Sequence, residues 1–510
     1  MYKYRATFML VLFVALAVAM LSASPAARAQ TLASSAATTH ENAASSPQIW
    51  DLPTQGPPTT YVLVQGAGFD PLTVIDVYFD GAKLASTTTD KNGSFGNGVV
   101  TATGATFTRL QVPADAVPGQ HTITAQERVG QKSAEKSFLV QTDWPQFRFD
   151  AQHSGFNSYE NVLNSRNVQN LAVDWQYALP AKVYENPVVA NGVVYFTTGY
   201  KDDTLYAVNA TTGALLWKYA DVQGATAPTV ANGIVYIGGP NVYAFNAATG
   251  ELLWQYQGPA TEVTVVNGVA YVGIDETVVA FDASTGHFLW GYSTNGGVQS
   301  PAVVNGVLYF NSIQFTYPDT YMSTLYAVDA TTHQALWQQS WTLAWALIPP
   351  PVAGGGVVYF DGSALDAHTG TLLWGGPSGS LSTSVIANGV VYEAGGQIVQ
   401  AFNAMTGAPR WSFQTGGSIE SSPAVANGVV YFESDDNYVY ALDAGTGAQL
   451  WQYSIACYGP SSPVVADGVA YIPSGFGTGA LWAFHLPNQN VREHSSSPHR
   501  LDPTPIKNAP

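Results

Sequence analysis

An eleven-residue pattern, Ala-x-Asn/Asp followed by seven residues and a Trp, occurs seven times in this 510-residue chain, at Ala207–Trp217, Ala244–Trp254, Ala280–Trp290, Ala327–Trp337, Ala364–Trp374, Ala401–Trp411 and Ala441–Trp451. A second signal, Asn-Gly or a variant leading into Val-x-Tyr, is centred on Gly192, Gly233, Gly268, Gly306, Gly356, Gly389, Gly428 and Gly468. A unit of about 35 to 50 residues repeated in this way holds four short strands, and a run of such units predicts a β-propeller.

One unit, Pro228–Tyr256, shows the strands. Asn232-Gly233 lies between β-branched runs, where the favoured hairpin turn needs positive φ at both central residues, so strands A and B meet there. Val242–Phe245 is strand C, the Thr-Gly segment ending at Gly250 is a tight turn, and Leu252–Tyr256 is strand D. The small Ala of strand C leaves room for a Trp from a neighbouring blade, which makes the Trp an inter-blade packing residue. The eighth unit stops at Leu481-Trp482-Ala483-Phe484 without its last turn and strand, whereas Leu171–Tyr177 supplies a Trp-x-Tyr with no unit before it. The expected fold is therefore all-β, an eight-bladed β-propeller closed by an N-terminal strand and preceded by an immunoglobulin-like β-sandwich.

The Trp motif resembles the tryptophan-docking motif of the pyrroloquinoline-quinone (PQQ) repeat propellers, and Asp143-Trp-Pro-Gln-Phe-Arg-Phe-Asp-Ala-Gln-His-Ser-Gly155 resembles a lead-in segment common among them. The resemblance spans roughly Trp144 to Leu486. It implies the fold but not one activity, because the superfamily includes quinoprotein dehydrogenases as well as propellers without a cofactor, such as the outer-membrane-protein assembly lipoprotein. In the dehydrogenases, PQQ lies over the central channel with calcium, an Asp base and commonly a disulfide between adjacent cysteines. This chain has only Cys457, which excludes such a disulfide and also lies far from any lipid-attachment site.

Residues 1–29 read as a signal peptide: Lys3 and Arg5, an apolar stretch Phe8–Leu21 too short for a membrane span, then Ala27-Arg28-Ala29. Export, with no transmembrane segment after its removal, is expected. Its loss takes three basic residues and moves the net charge from −17 to about −20, which disfavours nucleic acid and anionic lipid as partners. Residues 30–56 read as a flexible linker, 57–141 as the immunoglobulin-like domain, 142–487 as the propeller and 488–510 as a disordered tail. Within the second segment, Tyr61–Val64, Val74–Phe79, Leu110–Val112 and His121–Thr124 alternate with turns, and Gly-x-Gly-Phe at Gly66–Phe69 resembles the IPT/TIG type, whose members are spacers or adhesion modules.

Motifs for phosphate binding, zinc hydrolysis or a nucleophile elbow are absent from the sequence. Asp90-Lys-Asn-Gly93 lacks the downstream carboxylate of a calcium loop and reads as a turn, as do Asp202-Asp203 and Asp435-Asp436-Asn437. Cys457 reads as a small apolar residue. Glu185-Asn186 and Glu420 precede strand A in their units and could reach the channel mouth, although turn residues are the simpler reading. Most loops are short, but the fourth unit carries two long ones, Asn311–Ser323 and Gln339–Pro350, which strand parity puts on one face. Their Phe315, Tyr317, Tyr321, Trp341 and Trp345 are the candidate binding face, with the alternative that they only fill a gap between blades. The function expected is non-enzymatic binding of a protein or polysaccharide at the cell envelope, with no cofactor; a PQQ- and calcium-dependent dehydrogenase and an envelope assembly scaffold are the alternatives.

Overall fold

A computed structural model of the chain describes residues 46–96, 99–101, 104–106, 108–199, 202–316, 320–343, 349–375, 382–455, 459, 461–476 and 478–487. These divide into two compact units, one running to Val140 and the other beginning at Gln141. Residues 1–29, Cys457 and the 488–510 tail lie outside the described residues. Among the described residues, no helix is long and apolar enough to cross a membrane.

The first unit packs a three-stranded sheet against a five-stranded one. Alternation along Tyr61–Ala67 buries Val62 and Val64, which meet Ile75, Val77, Ile123 and Phe138 in one core. Gln48–Leu52 and Gln55–Gly56, read above as linker, are strands of this unit. Ile49 is buried in its core, but Asp51 points inward while Trp50 and Leu52 are exposed, so apolar character does not alternate with burial here and the strand is hidden in the sequence. Asp90 accepts from the backbone N–H of Asn92 and Ser94, so its loop is a side-chain-capped turn.

Among the described residues of the second unit, the strands follow one another as eight blades of four main strands, blades 2 and 3 being joined through Ala260↔Ile274. Blade 1 is Val188–Ala190, Val193–Thr197, Leu205–Asn209 and Leu215–Tyr219, and the same A-B-C-D order repeats through blade 7, which ends with Gln449–Ser454. Blade 8 takes Val464–Ala466, Val469–Phe476 and Thr478–His485 from the C-terminal end, and Ala172–Leu179 from the N-terminal end as its outer strand. The A strands of consecutive blades touch in order, and that of blade 8 touches that of blade 1, so the ring is closed.

The Trp motif holds the blades together, through a different acceptor from the one expected. The strand-C Ala faces the Trp of its own blade, as Ala244 faces Trp254. The Trp docks instead on the Thr-Gly turn of the next blade. Trp217 donates its indole N–H to the Ala247 carbonyl at 2.9 Å, and Tyr195 of the same blade donates its hydroxyl to that carbonyl at 3.1 Å. Trp254 and Tyr236 share Ala283 in the same way, as do Trp337 and Tyr309 with Ala367, and Trp411 and Tyr392 with Ala444. Trp175 and Tyr471 of blade 8 share Ala210 of blade 1. The turn glycine is required twice over: at Gly250 φ is +73°, and a Cβ would lie 2.6 Å from the Trp217 ring. Blade 4 has His333 in that position, and Trp290 stacks on its imidazole at 4.2 Å between centroids.

Candidate binding face

The A strands leave one edge of backbone N–H and C=O groups facing the axis of the ring, and buried groups of this kind need partners. The lead-in segment supplies them. Trp144 exchanges backbone hydrogen bonds with Val189 of blade 1 at 2.9 and 2.8 Å. From there the chain circles inside the ring: Val230 donates to the Pro145 carbonyl, Val265 to the Gln146 side chain, Val303 to Ala151, Ala353 to Gln152, Ile386 to Ser154 and Val425 to Gly155. Asn157 closes the circuit by donating its side-chain amide to the Val465 carbonyl of blade 8 at 2.9 Å. Each partner is the middle residue of its A strand. Residues 144–157 thus visit all eight blades in order and fill the centre of the ring.

Many polar groups inside this circuit are paired, although Trp144 Nε1 and Arg148 Nε are buried without a partner among the described residues. Arg148 is fully buried and donates to the carbonyls of Pro423 at 2.7 Å, Ser384 at 3.0 Å and Thr383 at 3.2 Å, tying blades 6 and 7 to the segment. Gly155 has φ +66°, and a Cβ there would lie 2.5 Å from the Arg148 guanidinium. Asp150 caps the following turn by accepting from the backbone of Gln152 and Ser154. His153 bonds Thr264 at 3.0 Å, and burial, aided by Arg148, pushes its imidazole down to about 3, so it is neutral. In sequence this stretch is visible as a motif, but its circular path is not.

On the face where strand D leads into strand A, a row of polar residues precedes the A strands. Thr383 N–H donates to Ser422 Oγ, Ser422 N–H to Ser462 Oγ, and Ser462 N–H to Asn186 Oδ1, all at 2.8 to 2.9 Å. Asn186 is therefore a link in a chain of loop hydrogen bonds, and Ser300 holds Glu262 by a short hydrogen bond. Burial raises the Glu185 carboxyl well above the usual carboxylate range, and the Glu262 carboxylate adds to the effect. Glu420 lies near Asp435, whose carboxyl is raised by burial and then by Glu420. Asp202 accepts from Thr198 and Tyr206, and Asp436 from Gly416 and Tyr440, so both acidic pairs serve turns. Among the described residues, no group of three or more His, Cys, Asp or Glu could hold a metal ion.

Blade 4 departs from the frame in a way the sequence obscures. Within Asn311–Ser323 and Gln339–Pro350, residues 311–316, 320–323 and 339–343 are strand rather than loop: strands Val307–Thr316, Thr320–Asp329 and Ala335–Leu343 extend together as one sheet. Unbroken pairing from Val307↔Asp329 to Thr316↔Thr320 lets each strand satisfy the next. Phe315 pairs with Tyr321, ring centroids 5.4 Å apart, and Phe315 is 57% exposed. Trp341 packs on Phe360 of blade 5 at 5.8 Å, and Ile313 and Tyr321 join the same cluster. Three of the five expected aromatics therefore share one face of one sheet, with Trp341 doing the gap-filling and Phe315 the exposed member. Tyr317 and Trp345 lie outside the described residues.

Residues 167–261, 238–363 and 361–496 match the family described as outer membrane protein assembly factor BamB. The chain belongs to this family. Among solved structures, this BamB-family chain is similar to a europium-containing methanol dehydrogenase, with 15% identity and a TM-score of 0.53 over 68% of this chain and 98% of that one. It is also similar to the quinohemoprotein alcohol dehydrogenase ADHIIG from Pseudomonas putida HK5, with 16% identity and a TM-score of 0.56 over 72% and 82% of the two chains. The corresponding enzyme from Comamonas testosteroni gives 15%, 0.54, 67% and 80%. At these identities the likeness is one of fold. None of the curated proteins matches this chain in sequence.

Proposed function

We propose that this protein is an exported binding protein, whose propeller holds a protein partner at the cell envelope on the face carrying the blade 4 extension and catalyses no reaction. The observation that carries this reading is the circuit of residues 144–157, which fills the centre of the ring with hydrogen-bonded backbone. The first unit, on its resemblance to IPT/TIG domains, is a spacer or second adhesive module.

PQQ with calcium is the group that the resemblance to quinoprotein dehydrogenases implies, and the residues present do not fit it. PQQ is anionic, whereas the side chains before the A strands include the Glu262 carboxylate, and the buried Arg148 spends its guanidinium on three carbonyls. A calcium ion needs six to eight oxygen ligands, commonly including several carboxylates. No such acidic cluster occurs among the described residues.

The test is a calorimetric titration with PQQ and Ca²⁺, followed by a dye-linked assay for alcohol and sugar oxidation. No saturable binding and no turnover is the expected result; binding with turnover overturns the reading in favour of a dehydrogenase. In parallel, capture from the producing cell's envelope fraction should recover a protein with the wild-type chain and lose it with Phe315→Ala/Tyr321→Ala.

A further inference from the structure

Between Lys218 and Arg410 the chain contains no lysine or arginine, yet holds eleven aspartates and glutamates. Blades 2 to 5 lie wholly within that stretch, so their surface carries negative charge with no basic side chain to offset it. The blade 4 extension rises from its middle. Its aromatic face stands over blade 5, which is short there because Val357–Phe360 returns as Ser363–Asp366 through the two-residue turn Asp361-Gly362.

A small cavity lies at the foot of that wall, lined by Pro349, Pro350, Phe360, Asp361, Ser382 and Glu393 among others. Water centres have about 10 Å³ of room in it, which is the space of a single water-sized group. Phe360 lines the cavity and also meets Trp341, so the cavity and the aromatic wall are continuous. The lining Tyr359 donates to Glu393 at 3.3 Å, and its hydroxyl is pushed far up by burial and by the nearby Glu393 and Asp361 carboxylates. The site is thus apolar and aromatic at its wall and anionic at its floor.

Resting on the binding-face reading above, we propose that the protein partner inserts a lysine side chain here, its methylene stem along Trp341 and Phe360 and its ammonium in the cavity beside Asp361 and Glu393. An ammonium is compact, close to water in size, and carries three donors for carboxylate and hydroxyl oxygens, whereas a planar guanidinium is too wide for a one-water space. Aromatic faces beside the stem favour a cation over a neutral side chain.

The test uses the full chain and three nine-residue peptides that differ only at the centre: lysine, arginine or Nε-acetyl-lysine. Calorimetry at physiological salt should show the lysine peptide binding at least tenfold tighter than the other two. Asp361→Asn/Glu393→Gln, which keeps shape and the Tyr359 hydrogen bond, should remove that preference with an unchanged melting temperature. Equal binding of the three peptides, no binding, or an unaltered preference in the double variant would each overturn the proposal, as would glycan-array binding with silent peptides. Envelope capture separates the two levels. Loss of capture with Tyr321→Ala but not with Asp361→Asn/Glu393→Gln would leave the binding face standing and sink the lysine; capture indifferent to both would sink both.

Discussion

The indole of Trp254 in blade 2 lies on Gly286 of blade 3, where a Cβ would come within 2.6 Å of the ring, while its N–H reaches the Ala283 carbonyl at 3.1 Å. One residue thus reports the join between two blades. Gly286→Ala should cost about 2–4 kcal/mol, combining overpacking against the ring with the left-handed backbone at φ +71°. Gly268→Ala has the same backbone cost at φ +81° but nothing within 4 Å, and should cost only about 1–2 kcal/mol. Urea unfolding followed by tryptophan fluorescence gives the difference; equal costs would mean that the docking is not tight. Trp254→Ala should cost about 3 kcal/mol, the low end for such changes, because the ring keeps part of its surface exposed.

Removing the buried cation of the central circuit should be more damaging than its single position suggests. Arg148→Leu leaves the Pro423, Thr383 and Ser384 carbonyls without their donor, and a loss of roughly 3–5 kcal/mol is expected. Arg148→Lys, with one compact ammonium in place of a fork, should recover less than half of that. A near-neutral Arg148→Leu in denaturant unfolding would show that the circuit does not stabilise the ring.

Deleting residues 165–180 removes the outer strand Ala172–Leu179 and leaves Thr478–His485 as an open edge. It also removes Trp175 from the Ala210 carbonyl, and with it the blade 8 to blade 1 dock. Soluble aggregates should appear on size-exclusion chromatography. A monomer that melts like the full chain would contradict the assigned closure.

Glu185 sets a pH dependence with a definite sign. Its carboxyl is raised in the folded chain by burial and by Glu262, whereas in the unfolded chain it titrates near the ordinary value of about 4.3. The folded state therefore binds the extra proton, and its contribution is fully present below about pH 4.3 and is lost as pH rises through the raised value. Glu185→Gln should flatten the fall in stability between about pH 4.3 and the raised value. An unaltered pH profile of the urea midpoint would place Glu185 in water.

The extension of blade 4 separates packing from recognition. Trp341→Ala should lower stability by about 2–3 kcal/mol because the ring fills the space against Phe360. Phe315→Ala should change stability by less than about 0.5 kcal/mol, since that side chain is largely exposed. If Phe315→Ala is the more destabilising of the two, the exposed face belongs to the core.

The sequence by itself determined the repeat, the hairpins and the strand that closes blade 8, because these rest on local rules: Asn-Gly sets a turn, alternation sets a face, and a missing final strand must be found elsewhere. Asn232 and Gly233 take the positive φ their turn requires, at +52° and +77°. What lies between blades was decided only by tertiary structure. The acceptor of Trp175, Trp217, Trp254, Trp337, Trp374 and Trp411 is a carbonyl 29 to 35 residues further on, and nothing within one unit says that Trp254 rests on Gly286 rather than beside its own Ala244. The path of residues 144–157 has no local signature either, since its partners from Val189 to Val465 are brought together only when the ring closes. The aromatic pattern of Phe315, Tyr321 and Trp341 was legible, but a loop and a prolonged strand can carry the same residues. Which of them packs and which stays exposed depends on the height of blade 5, where the turn at Asp361-Gly362 ends the neighbouring wall.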